Sequence, residues 1–272
     1  MQEALAYHER HKPQALIVTR GGEIVFEKYD DGFAGDKPHA LYSGTKSFWG
    51  PVAVVAQREG LLKLDDTVGD TFPAWRDDAV RRKVTLRHLL TLTAGISFGG
   101  LGNAVPVYEK ALAALLRDPP GERFTYGGIP LQTFGAVLAQ KLSTAGQSPH
   151  DYLQARVLKD AGVEIASWRT LADGTQPLPT GAFLTARNWL RFGQYMLAHH
   201  DEFAECFQGT KANPRYGLCW WLATPGAPPD TMYASGSGGQ ALYVVPSIEL
   251  VAARFGNGGS FKHEAFLKRL AS

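Results

Sequence analysis

A serine and a lysine three residues apart, in Ser43-Gly44-Thr45-Lys46, are the part of this sequence best equipped for chemistry. On a helix, residues at that spacing share a face, so the amine can reach the hydroxyl. A serine hydroxyl is a weak nucleophile until a base takes its proton, and lysine serves as that base where burial or a second cation disfavours its charged form. At the first turn of a helix the serine's Oγ and backbone N–H also meet the positive end of the macrodipole, where an oxyanion is stabilised. The spacing alone is common, and a serine N-cap followed by a solvated lysine uses the same letters. The following stretch separates the two readings. Val52-Ala53-Val54-Val55-Ala56 is apolar on all sides, so its helix is expected to be buried, with Lys46 at its head. Pro51 lacks the N–H that would bond back toward Ser47, which predicts a kink or a tightened turn.

The elements that must hold this pair follow from periodicity and punctuation. Residues 2–11 read as a short amphipathic helix, and two β-rich runs, 14–20 and 23–29, flank Gly21-Gly22, a tight hairpin signal. The Ser43 helix ends before Gly60. Thr85 is a suitable N-cap for a helix over 86–92 that Gly95 would close. Further helices are expected at 107–116, 131–142 and 150–158, with one capped by Thr185 running to about His199. Between the first two of these, residues 119–128 are too rich in breakers to be regular, and such a loop is a good place for function. Strands are expected over 216–223, 241–245 and 249–255, and a last helix over 261–270. On the strand over 216–223, Trp220 and Trp221 would point to opposite faces, one toward a cleft and the other toward the core. Strands at both chain ends with helices between them give an α+β fold: one antiparallel sheet built from the termini and flanked by helices, plus a mainly helical lobe.

Composition removes several classes of function. With 28 Lys plus Arg against 26 Asp plus Glu, the net charge of +2 offers no strong attraction to nucleic acid or an anionic membrane. Arg81-Arg82-Lys83 reads as a solvated loop. No segment approaches the roughly 18 apolar residues of a membrane span. The first residues are polar and charged where a signal peptide has its apolar core, which fits a cytosolic protein or the mature form of an exported one. Cys206 and Cys219 are too few for a disulfide framework and are expected to be free. His8 and His11 share a helix face but have no acidic base beside them, so a zinc enzyme is not indicated. Gly99-Gly100-Leu101-Gly102 lacks the strand and lysine of a phosphate-cradling loop. The chemistry drafted here calls for no cofactor.

The order of motifs is more specific than any one of them. Ser43-Gly44-Thr45-Lys46, then Tyr126-Gly127-Gly128, then Gly236-Ser237-Gly238-Gly239-Gln240 resembles the serine β-lactamase and penicillin-binding-protein superfamily, in its class C β-lactamase-like branch of esterases, D-amino-acid peptidases and amide hydrolases. The resemblance covers nearly the whole chain as one catalytic domain, with an α/β lobe over about 1–60 and 200–272 and a helical lobe over about 61–199. It implies Ser43 as nucleophile, Lys46 as its base and Tyr126 as the group that passes a proton to the leaving group. It also implies an oxyanion hole from the backbone amides of Ser43 and Gln240, and substrate contacts at Gly128, Ser237, Gly238 and Gly239; strand alternation, not the resemblance, adds Trp220 as the cleft-facing tryptophan, with core packing the competing reading. Two departures matter. The second motif usually ends in Asn and here ends in Gly128, which weakens amide-side recognition. The third usually begins with Lys or His and here has Ser237, which replaces a cation facing a carboxylate by a neutral donor. The resemblance therefore implies an acyl-enzyme hydrolase of a small ester, amide or short peptide, and points away from efficient β-lactam hydrolysis. The same departures leave open an acylatable penicillin-recognising sensor, or a weak β-lactamase with little turnover.

Overall fold

The computed structural model describes every residue except Asp31, Ser97, Phe98, those numbered 100–103, Gly259 and Ser272. Apart from Gly99, the glycine-rich stretch set aside above lies outside the described residues. After helix α1 (Gln2–Glu9), strands β1 (Pro13–Arg20) and β2 (Glu23–Tyr29) pair antiparallel. Gly21 and Gly22 join them with φ of +56° and +83°, the left-handed values that a two-residue hairpin needs. Strands β3 (His39–Ala40), β4 (Ser167–Trp168) and β5 (Ala182–Leu184) form a small sheet in the order β3-β5-β4. The main sheet is completed by β6 (Trp221–Leu222), β7 (Met232–Gly236), β8 (Gln240–Val245) and β9 (Leu250–Gly256). It is antiparallel throughout, in the order β2-β1-β9-β8-β7-β6, so both ends of the chain supply it.

The remaining helices are α2 (Trp49–Arg58), α3 (Pro73–Arg76), α4 (Leu86–Leu90), α5 (Tyr108–Leu112), α6 (Ile129–Leu142), α7 (Pro149–Leu153), α8 (Ala186–Ala198) and α9 (His263–Ala271). The inner strands of the main sheet are buried on both faces, and their period of two divides the core. Leu242 and Val244 of β8 enter a large cluster with Val52 of α2, Phe134 of α6 and Phe192 of α8. Ala241, Tyr243 and Val245 face a smaller one with Ala4 and Tyr7 of α1 and Phe266 and Leu270 of α9. This is the α+β arrangement expected, helices on an antiparallel sheet. Thr85 and Thr185 cap α4 and α8 by accepting the amides of His88 and Asn188. Cys206 and Cys219 are both free and buried.

One expectation needs correction, and four strands escaped the sequence reading. Residues 216–223 do not form one strand: Cys219 turns the chain with φ of +64°, and only Trp221–Leu222 is extended. Strand β7 carries no polar alternation because four of its five residues are buried, so periodicity did not separate it from the glycine motif it leads into. Strands β3, β4 and β5 have two or three residues each, too short for any period to show.

Candidate active site

Ser43 and Lys46 lie on a 3-10 helix, Tyr42–Phe48, which passes into α2 at Trp49. The switch follows from Pro51. In the first turn of α2 its missing N–H costs no intrahelical bond, and the Ser47 carbonyl it cannot serve accepts the indole N–H of Trp220 at 3.1 Å. The tightened turn predicted there is thus present, upstream of the proline. Ser43 precedes the first closing bond of this helix, Gly44 N–H to Leu41 O at 2.9 Å, so its amide belongs to the group that a helix start leaves without an internal partner. Tyr42 enters the turn at φ of +48°, a left-handed value that a non-glycine residue adopts only where its surroundings hold it.

A segment the sequence did not mark clamps this turn from the side. The Leu178 carbonyl accepts the Trp49 indole N–H at 2.7 Å, the Pro179 carbonyl accepts from Lys46 Nζ at 3.2 Å, and the Ala182 amide donates to Thr45 Oγ1 at 3.4 Å. Lys46 is 2 % exposed, and its Nζ lies 3.1 Å from Ser43 Oγ. It also stands 4.9 Å from the centre of the Tyr126 ring. Among the described residues no carboxylate comes within ion-pair reach of it. With the proton on serine, the same contact makes the amine the acceptor, the arrangement a serine nucleophile needs.

Tyr126 reaches the pair from a loop fixed at both ends: the Thr125 amide donates to Leu92 O at 2.9 Å and the Gly128 amide to Gly99 O at 3.2 Å. Its ring stacks on Trp221, with centroids 5.7 Å apart at 24°, and meets Tyr216 edge-on at 6.3 Å. Gly128 is the buried N-cap of α6, and its N–H is spent on Gly99. Trp220 corrects an expectation: it is wholly buried behind the turn that carries Ser43, and the tryptophan beside Tyr126 is Trp221. The turn at Cys219 is the reason, because it breaks the alternation on which the choice rested.

The third motif turns β7 into β8 beside this turn. A Cβ on Gly236 would lie 2.1 Å from the Leu41 carbonyl, so only glycine lets β7 come this close to the chain entering Ser43. Gly238 and Gly239 follow with φ of +83° and +82°. Ser237 is exposed on the turn. The Gln240 side chain points inward, donating to Ser237 O at 2.9 Å and Gly256 O at 2.6 Å and accepting the Gly256 amide at 3.0 Å. Beneath it lies Arg254, fully buried, which sequence reasoning passed over. Its guanidinium donates to Gly239 O, to His11 O at 2.8 Å and to His8 Nδ1 at 3.1 Å, and covers the Phe261 ring at 3.7 Å. Burial lowers its pKa to about 10. An arginine in a strand otherwise made of Leu, Val, Ala, Phe and Gly was the available signal.

The structure therefore brings together Ser43, Lys46, Tyr126 and the glycine turn, and it leaves Trp220 in the core. Comparison with known proteins bears on the family and the fold. The family model described as Beta-lactamase matches residues 6–271. No curated protein matches the chain. Among solved structures, a Bacillus anthracis protein provisionally called a 6-aminohexanoate-dimer hydrolase superposes with a TM-score of 0.80 at 20 % identity, covering 96 % of this chain and 77 % of that one. A class C beta lactamase from Rhodobacter sphaeroides gives 0.75 at 17 % identity, covering 99 % and 97 %. EstCE1, described as a hydrolase with promiscuous acyltransferase activity, gives 0.75 at 18 % identity, covering 98 % and 94 %. At these identities the likeness is one of fold.

Proposed function

This chain belongs to the Beta-lactamase family, and we propose that it is a serine hydrolase that cleaves a small ester or amide through an acyl-enzyme on Ser43. The observation that carries the reading is the buried Lys46 amine 3.1 Å from Ser43 Oγ. In the proposed cycle Lys46 takes the Ser43 proton as Oγ attacks the carbonyl carbon. The backbone amides of Ser43 and Gln240 hold the resulting oxyanion. Tyr126 protonates the leaving group as its bond to carbon breaks, and regains a proton from Lys46. Water then attacks the acyl-enzyme, giving up a proton along the same path, and the carbon–Oγ bond breaks to free the acid. Gly128, Ser237, Gly238 and Gly239 line the substrate's approach. In this reading the site lies between an α/β lobe, about 1–60 and 200–272, and a helical lobe, about 61–199.

Small esters are the first substrate class to test, because an ester asks less of the leaving-group side, where Gly128 replaces the usual amide-binding Asn. That two similar structures are described as hydrolases, one with acyltransferase activity, supports an acyl-enzyme route. Transfer to water and transfer to another acceptor differ only in the second step. A fluorophosphonate followed by peptide mapping is expected to label Ser43, and a short-chain ester to be turned over steadily. Labelling without release would make the protein an acylated sensor, and absence of any label would remove the covalent mechanism.

A further inference from the structure

On the side of the main sheet covered by α1 and α9, a cavity of about 710 Å³ opens between α9, Tyr233 of β7 and Thr224. That volume suits a small organic molecule. None of its lining residues has a part in the cycle above. The inner wall is Tyr233, Phe261 and Ala265, and the mouth carries Lys262 and Lys268, both exposed, with Arg269 and Glu264 beside them. Tyr233 is 7 % exposed, and its hydroxyl, with no hydrogen-bond partner among the described residues, keeps its access to solvent on this side. Burial holds this phenol at a pKa of about 12, so it is a proton donor at any ordinary pH. Lys262 and Lys268 likewise have no carboxylate within ion-pair reach among the described residues. His263 is not free to serve, since its ring nitrogens are engaged by Ser235 Oγ at 2.8 Å and Tyr243 OH at 2.7 Å.

A phenol O–H in the wall of a partly apolar cavity offers a directional donor to an incoming acceptor. Two unpaired ammonium groups above an apolar wall add a preference for negative charge on an apolar body. Glu264 at the same mouth would repel a dianion, which favours a head with a single charge. We propose that this cavity is a second ligand site, distinct from the Ser43 centre, that binds a small carboxylate with an apolar body. The carboxylate lies between Lys262, Lys268 and the Tyr233 hydroxyl, and the body rests on Phe261 and Ala265.

The test is calorimetric titration with naphthoate as probe and uncharged naphthylmethanol as its control. Wild type is expected to bind naphthoate at millimolar concentration or tighter, and Ser43→Ala to bind it equally well. The double variant Lys262→Ala/Lys268→Ala is expected to lose about tenfold in naphthoate affinity with little change toward the alcohol. Tyr233→Phe, which keeps the ring, is expected to weaken naphthoate more than the alcohol. Both lysines are exposed, so melting temperatures should match wild type and exclude misfolding as the cause. No binding to wild type, or equal naphthoate affinity in the double-lysine variant, overturns the proposal.

Discussion

Around the Lys46 amine stand two neutral oxygens and the face of the Tyr126 ring, all within the reach of one short helix. Such a group can exchange a proton with Ser43 without first breaking an ion pair. Ser43→Ala and Lys46→Ala are each expected to lower ester turnover by about 10³-fold or more, and the double variant to be little worse than either, because the groups act as a unit. Melting temperature should stay near the wild-type value in both single variants. Lys46→Ala retaining most of its activity would take lysine out of the mechanism. Tyr126 is oriented differently: no protein hydrogen bond to its hydroxyl is present among the described residues, and the stack on Trp221 sets its plane. Trp221→Leu is therefore expected to reduce kcat about tenfold or more, as misplacement of a reacting group does, with KM affected less. Trp220→Phe should show the opposite pattern: it leaves the Ser47 carbonyl unpaired in the core and costs about 1–3 kcal/mol of stability. Equal kinetic effects from the two tryptophans would remove Trp221 from its positioning role.

At the scale of elements, the site exists because β7 lies flush against the chain entering the nucleophile's helix. Gly236→Ala puts a methyl group 2.1 Å from the Leu41 carbonyl, a backbone atom that cannot rotate away. The expected result is a loss of about 1–3 kcal/mol in stability, measured by urea unfolding, with a fall in kcat as the strand and the Ser43 turn separate. Much of this arrangement was legible in the sequence. Gly21-Gly22, the two threonine caps and the order of Ser43, Tyr126 and the 236–240 glycine motif are local signals, and the chain folds locally as they direct. What was not legible depends on long-range approach. The 178–182 segment clamps the Ser43–Lys46 turn through backbone carbonyls and an amide, which any residue types can supply. Arg254 supports the Gly239 carbonyl only because β9 runs beneath the β7–β8 turn. The choice between Trp220 and Trp221 depended on a left-handed cysteine that no period reveals.

The whole molecule keeps three neutral histidines in its interior. His8 is held at a pKa of about 3 by burial and by Arg254 donating to its Nδ1, with Lys28 and His11 adding to the effect. Burial lowers His263 to about 4, helped by Arg254. His150, between Trp49 and Trp168, is also lowered to about 4, burial outweighing the nearby Asp151. In the unfolded chain each takes up a proton near pH 6.5, whereas the folded protein resists until pH 4 or below. Between those values the unfolded state binds more protons, so stability is full above the unfolded pKa and falls as pH drops through that window. At about pH 5.5 each histidine removes roughly 1 kcal/mol relative to neutral pH, and three together are a sizeable part of a typical folding free energy. Carboxylates held low by their partners, such as Asp65 beside Arg87, keep their stabilising contribution through this window and lose it only as pH falls through the usual carboxylate range and below. Urea midpoints are therefore expected to fall steeply from about pH 7.5 to 5.5 and to fall less in His150→Gln, which removes one titrating group. A midpoint flat over that range would mean that these rings already carry their protons in the folded protein, against the apolar surroundings that enclose them.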